Sequence, residues 1–238
     1  MSKITTVLFD LDGTLLPMDQ DTFVKAYFGR LAKKLAPHGY ETERLVSAIW
    51  GGTAAMVRND GSRTNEEVFW ASFATVFGED VRKDEPLFDE YYHQEFPAVQ
   101  TSCGFNPKAA EAVAFLKARG IRCVLATNPI FPSIATCTRA SWAGLTLSDF
   151  DLITTYENSR HCKPNPAYYE DILAELGLTP EECIMVGNDA TEDLAAAKLG
   201  IPVFLVTDCL INKHDADLTD VPKGSFDDLM TYLQDTLA

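Results

Sequence analysis

Between residues 5 and 12 the apolar run Val7-Leu8-Phe9 follows two threonines and ends on Asp10 and Asp12. So short a run, rich in β-branched residues, predicts a buried strand that stops at the carboxylates. The period then changes. Phe23, Tyr27, Leu31 and Leu35 recur every four residues, one face of a helix that stops near "PHG". A second helical pattern runs from Glu41 through Leu45 and Ile49. A third opens on the capping box Thr64-Asn65-Glu66-Glu67, and a fourth covers "EPLFDEYYHQEF" ahead of Pro97. No strand pattern lies between Pro17 and about Gln100.

Beyond that point strands and helices alternate. Asn106-Pro107 is an N-cap and first-turn pair for "KAAEAVAFLKAR", which Gly120 ends. The strand "IRCVLATN", a helix over "PSIATCTRASWAG" and the strand "LITTYE" follow. Next come the helix "PAYYEDILAEL" closing on Gly177, a capping box Thr179-Pro180-Glu181-Glu182, and the strand "CIMVGND". The helix "TEDLAAAKLG", the strand "IPVFLVT" and an amphipathic helix over "FDDLMTYLQDTL" complete the chain. Short continuous apolar strands alternating with helices predict an α/β fold: a doubly wound, Rossmann-like parallel sheet covered on both faces. The expected core is residues 1–16 plus 101–238, interrupted by an inserted α-helical domain over residues 17–100. The insert leaves at the carboxyl edge of the sheet, where open α/β sheets place their ligands.

Composition narrows the function classes. Twenty basic against 35 acidic residues give a net charge of −15. That argues against nucleic-acid and anionic-membrane partners, which call for a basic patch. The six cysteines form no CxxC pair and several lie in apolar runs, so they are expected to be reduced and mostly buried. No signal segment opens the sequence, and no apolar run approaches the roughly 18 residues of a membrane span. The expectation is a cytoplasmic protein.

The polar residues collect at the strand ends: Asp10 and Asp12, then Thr127 and Asn128, then Lys163, then Asn188, Asp189 and Asp193. Parallel strands bring these ends to one edge. Taken singly, each has an ordinary reading: an aspartate capping a turn, Thr-Asn before a proline as a turn signal, Lys163 as a surface lysine. Together they are a carboxylate excess that requires a cation, and hard oxygen donors suit Mg²⁺.

This constellation resembles the haloacid dehalogenase superfamily of hydrolases. The first motif is matched by "DLDGT" (Asp10 to Thr14), the second by "ATN" with Thr127, the third by "CKP" with Lys163 and the fourth by "GNDATED". The motifs stand in order across residues 10 to 193, and the insert resembles the family's helical cap of the first type. The resemblance implies a phosphatase acting on a small phosphorylated metabolite. Asp10 would be the nucleophile and Asp12 the general acid and base. Thr127, Asn128, Lys163 and Gly13 would surround the phosphate. Mg²⁺ would be held by Asp10, the Asp12 carbonyl and Asp189, with Asp193 binding it or orienting Lys163. The fourth motif departs from the common form because Asn188 separates Gly187 from Asp189; Asn188 would offer an amide oxygen or only a turn.

Arg58, Asn59 and Arg63 sit in a polar loop of the insert, where such caps often meet substrate, and Arg58 is the candidate contact. Hinges are expected near Pro17-Met18 and Ser102-Cys103-Gly104. His161 and Cys162 have no second soft ligand nearby and read as structural. Three alternatives remain open: a phosphomutase using the same residues, a 2-haloacid dehalogenase, and a non-catalytic binding protein on the same fold. Asp12 and Asp189 argue against the dehalogenase, whose relatives lack the second aspartate and need no metal.

Overall fold

A computed structural model of the chain describes residues 4–237. Its centre is β1 (Thr6–Phe9), four fully buried residues. β2 (Arg122–Leu125) pairs with it on one side and β4 (Cys183–Gly187) on the other, both parallel. β3 (Leu152–Ile153) extends the sheet beyond β2, while β5 (Val203–Val206) and β6 (Lys223–Gly224) extend it beyond β4. The order is β3-β2-β1-β4-β5-β6. The chain therefore builds outward from β1 on one side, then crosses to the other, and β1 and β4 flank the topological switch point.

Alternate residues of each strand serve opposite faces. On one face Val7, Phe9, Leu125, Ile184 and Val186 pack with Val113 and Leu116 of α5 (Pro107–Lys117) and with Leu229 and Leu233 of α8 (Phe226–Thr236). On the other, Leu8, Val124, Met185 and Leu205 pack with Tyr168, Tyr169 and Ile172 of α7 (Pro166–Leu176). Burial on both faces explains why the strands read as unbroken apolar runs.

Between β1 and α5 the regular elements are all helical: α1 (Gln20–Leu35), α2 (Thr42–Val57), α3 (Asn65–Phe77), α4 (Glu85–Gln94) and short 3₁₀ turns. Asp19 caps α1 through Thr22, and the capping box at Thr64 forms with Glu67. The aromatic interior of these helices is continuous with the first face of the sheet, where Phe96 packs on Trp142 with ring centroids 5.2 Å apart. The two connections to the sheet run side by side, with Met18 bridged to Cys103 and Gly104 N donating to Pro17 O at 2.7 Å.

Three details differ from the sequence expectation. "LITTYE" supplies only two strand residues, because past Ile153 the chain turns, with Asn158 bonded to Thr155 N and Ile153 O. "TEDLAAAKLG" forms a 3₁₀ helix over Asp193–Leu199, pinned at its start by the Asp193 carboxylate and ended by Gly200. β6 is an additional strand in a polar stretch, formed because Leu205 N and Thr207 N find Pro222 O and Gly224 O. All six cysteines are free. Among the described residues no helix is long and apolar enough to cross a membrane.

Candidate active site

Strand pairing brings the predicted residues to one edge. Asp10 N donates to Val186 O at 2.8 Å and Ala126 N donates to Phe9 O at 2.7 Å, so Asp10 stands between the ends of β2 and β4. Beyond it the chain turns tightly: Leu16 N returns to Leu11 O and Gly13 N to Leu16 O. Leu11, Leu15 and Leu16 anchor this turn in the core. Gly13 has φ +89°, and a Cβ there would lie 2.3 Å from Asn188 Nδ2. Both conformation and space therefore call for glycine.

Lys163 joins three elements. Its ammonium is 1% exposed, and donates to Asp10 Oδ1 at 2.9 Å and to Asp193 Oδ1 at 2.7 Å. The other Asp193 oxygen accepts from the backbone N–H groups of Asn188 and Asp189, each at 2.9 Å. Asp193 thus orients Lys163 and fixes the loop after β4, with both its oxygens engaged. A Cβ at Gly187 would stand 2.0 Å from Asp193 Oδ2, so glycine makes this approach possible.

Asn188 is equally occupied: its Oδ1 accepts from Thr14 Oγ1 at 3.0 Å and its Nδ2 donates to Cys209 O at 2.7 Å. It ties the loop after β1 to the loop after β4. Asp189 Oδ1 accepts from the N–H groups of Thr191 and Glu192 at 2.7 and 2.9 Å. At the end of β2, Thr127 O accepts from Thr154 Oγ1 and Tyr168 Oη at 2.7 and 2.9 Å, which holds a residue only 2% exposed. Asn128 Nδ2 donates to Glu192 Oε1 at 2.9 Å.

Two neighbours were not foreseen from the sequence. Arg139 of α6 (Ser133–Trp142) is fully buried, with Nη1 3.4 Å from Asp12 Oδ2 and its guanidinium 4.2 Å from the Phe131 ring. None of its nitrogens makes a hydrogen bond, and Asp12 Oδ1 also has no partner. The available signal was a charge at position 139 on the face of α6 that also carries Ala135, Thr136 and Ala140. Glu192 sits within the fourth motif itself; its signal was a second acid immediately before Asp193.

Charge is unbalanced here. Burial, aided by Asp193 and Asp12 and opposed by Lys163, pushes the Asp10 carboxyl up to about 7. Burial likewise raises Asp12, against the pull of Arg139 and Lys163. Glu192 is pushed up to about 8, chiefly by burial. Burial works against the Lys163 ammonium, yet Asp10 and Asp193 outweigh it and hold its pKa well above the ordinary value. Five carboxyl groups thus stand against two buried cations. Among the described residues no three His, Cys, Asp or Glu side chains converge closely enough to form a metal site by themselves.

A cavity of about 380 Å³ opens over this edge, with Asp10, Asp12, Thr127, Asn128 and Asp189 among its lining and Asn188, Glu192 and Asp193 beside them. Gly13 and Lys163 do not line it; they act from beneath, through Asn188 and Asp10. Arg58 is exposed at the end of α2 and lies outside the cavity. The loop that contains it attaches the helical segment to the sheet. Asn59 Nδ2 donates to Arg63 O and Asn65 Oδ1, and Asn65 Nδ2 donates to Pro129 O at 3.2 Å. His161 pairs with Asp171 at 2.7 Å, and Cys162 is buried with Asn65 Nδ2 donating to its sulfur at 3.3 Å.

The family model for haloacid dehalogenase-like hydrolases matches residues 4–200. A phosphoglycolate phosphatase of Salmonella paratyphi A is 27% identical over 98% of this chain and 94% of its own length. Pyrophosphatase PpaX of Bacillus cereus is 24% identical, with 98% of each chain covered. Among solved structures, a 2-haloacid dehalogenase of Pseudomonas syringae pv. Tomato matches with TM-score 0.62 and 19% identity over 98% of this chain and 99% of its own. A HAD phosphatase from Thermococcus onnurineus matches with TM-score 0.59 and 21% identity over 97% of this chain and 98% of its own. At these identities the structures establish the fold alone, and the fold serves both chemistries.

Proposed function

This chain belongs to the haloacid dehalogenase-like hydrolase family, and from that premise we propose that it is a Mg²⁺-dependent phosphatase of a small phosphorylated metabolite, working through an aspartyl-phosphate on Asp10. The observation that carries the proposal is the pairing of Asp10 and Asp12 in the cavity lining at the end of the central strand, with Lys163 held beneath them between Asp10 and Asp193.

Lys163 donates one hydrogen bond to Asp10 Oδ1, which keeps a lone pair for a cation, and Oδ2 attacks phosphorus. As the Oδ2–P bond forms and the ester P–O bond breaks, Asp12 donates a proton to the departing oxygen. Asp12 lines the cavity with 22% of its side chain exposed, which puts its carboxyl within reach of the departing oxygen. Asp12 then takes a proton from a water that attacks phosphorus, releasing inorganic phosphate and restoring Asp10. Thr127, fixed by the bonds to its carbonyl, holds a phosphoryl oxygen. Asn128, tied to Glu192, stands beside it.

The donor set fits Mg²⁺, which usually takes one or two carboxylates and keeps several waters. Asp10 and Asp189 would hold it with the Asp12 carbonyl, at an edge where five carboxyl groups stand against the two buried cations Lys163 and Arg139. When bound, Mg²⁺ supplies positive charge against the anionic phosphoryl group. Asp193 and Asn188 serve this site indirectly, since their polar atoms are already engaged. We read residues 17–100 as a cap on a core of residues 1–16 and 101–238, closing off water during turnover.

The test is hydrolysis of p-nitrophenyl phosphate with and without Mg²⁺, by the unmodified chain and by Asp10→Asn and Asp12→Asn. The proposal expects Mg²⁺-dependent turnover that both substitutions abolish. Turnover that survives Asp10→Asn would overturn it.

A further inference from the structure

We propose that the substrate is a phosphate monoester whose alcohol portion is an apolar group, aromatic or alkyl, with no second anionic charge; the proposal rests on the phosphatase reading above. The cavity volume of about 380 Å³ falls in the ~300–1,000 Å³ range of organic-ligand sites. That leaves room beyond the phosphoryl group for a sizeable leaving group.

The walls away from the carboxylates are mostly aromatic, with Phe23 and Tyr27 of α1, Trp50 of α2, Phe69 and Trp70 of α3, and Phe131 after β2; Gln20, Thr53 and Tyr156 are the neutral polar side chains among them. The Tyr27 and Tyr92 hydroxyls bond each other at 2.9 Å, so neither phenol requires a polar partner on the substrate. Among the described residues, Lys213 is the one basic side chain in the lining, and it is exposed to solvent. Arg58 and Arg63 are exposed and outside the cavity, and Arg139 is committed to Asp12 and the Phe131 ring. A carboxylate or second phosphate lying among these rings would be desolvated with no basic side chain to pair with. An apolar group in the same place leaves water for aromatic surface.

The experiment measures kcat/KM for methyl, propyl, hexyl and benzyl phosphate, and compares propyl phosphate with 2-phosphoglycolate, which is similar in length. Leaving-group basicity is nearly constant along the alkyl series, so chain length reports burial. The expected rise is about threefold per added methylene until the cavity is filled, with propyl phosphate at least tenfold ahead of 2-phosphoglycolate. Trp50 is 49% exposed and packs against Phe28 with the rings tilted at 54°, so Trp50→Ala removes a wall without opening the core. That variant should lower the hexyl-to-methyl ratio severalfold. A flat alkyl series, or 2-phosphoglycolate ahead of propyl phosphate, overturns the inference if hydrolysis still requires Asp10. No hydrolysis of any ester, p-nitrophenyl phosphate included, overturns the phosphatase reading and this inference with it.

Discussion

Arg139→Met separates what a buried charge does for stability from what it does for chemistry. The guanidinium lies 3.4 Å from Asp12 Oδ2, which at an effective dielectric of about 20 corresponds to ~5 kcal/mol of attraction. Against this, bringing each ion out of water costs several kcal/mol, and the Arg139 nitrogens recover none of it through hydrogen bonds. The pair is therefore close to neutral for stability. Removing one member of a buried pair usually costs about 3–5 kcal/mol because the other is stranded. Here Asp12 keeps 22% of its side chain exposed and lines the cavity, so water can take over. Methionine retains apolar contact with Phe131, and its thioether suits an aromatic neighbour. We expect denaturant unfolding of Arg139→Met to shift by no more than about 1–2 kcal/mol.

Activity should respond differently. Arg139 pulls the Asp12 pKa down against burial, so its loss lets that pKa rise. Asp12 must be protonated when the ester bond breaks, so the alkaline limb of kcat/KM should move to higher pH. Asp12 becomes a stronger base but a weaker acid, and loses its orienting neighbour, so kcat should fall at least tenfold with alkyl phosphates. The fall should be smaller with p-nitrophenyl phosphate, whose leaving group needs little proton assistance. Destabilisation of 3 kcal/mol or more, or an unmoved pH profile, would refute this reasoning.

Gly187→Ala forces a Cβ against Asp193 Oδ2, so it should cost about 1–3 kcal/mol and lower kcat, as read by thermal melting and steady-state rates. Asn65→Leu removes a fully buried amide that links α3 to Pro129 O and Cys162 Sγ. It leaves Asn59 and the Pro129 carbonyl short of a partner, and a loss of about 1–3 kcal/mol in denaturant unfolding is expected. Without divalent cation, stability should fall as pH rises from about 5 to 8. Asp10 and Glu192 titrate near 7 and 8 when folded, against 3.8 and 4.5 as ordinary values, so in this window the folded chain holds protons that the unfolded chain has lost. Melting temperatures in EDTA that rise over this range would contradict the assignment. Millimolar Mg²⁺ should restore more stability at pH 8 than at pH 5.

What was legible in the sequence was whatever local pattern alone determines. Val7-Leu8-Phe9 reads as a buried strand because it is short, flanked by threonines and stopped by carboxylates, and parallel strands bring their polar ends to one edge. The resemblance of the strand-end motifs to the family placed Lys163 near Asp10 across 153 positions, and they stand 2.9 Å apart. Individual hydrogen-bond partners were beyond reach. Asn188 and Asp193 could each be read as a ligand, and only the geometry assigns their atoms to Thr14, Cys209, Lys163 and two backbone amides. β6 escaped because two residues carry no period; its existence depends on a neighbouring strand edge. Arg139 escaped for a different reason. Its position on α6 was readable, but a charge on the buried face of a helix was not weighed as a signal. Burying a charge among apolar side chains is costly, so a position that tolerates it implies a nearby opposite charge that is itself constrained. Here that opposite charge is the second aspartate of the motif, so the buried face of α6 and the turn after β1 together fix the environment of Asp12.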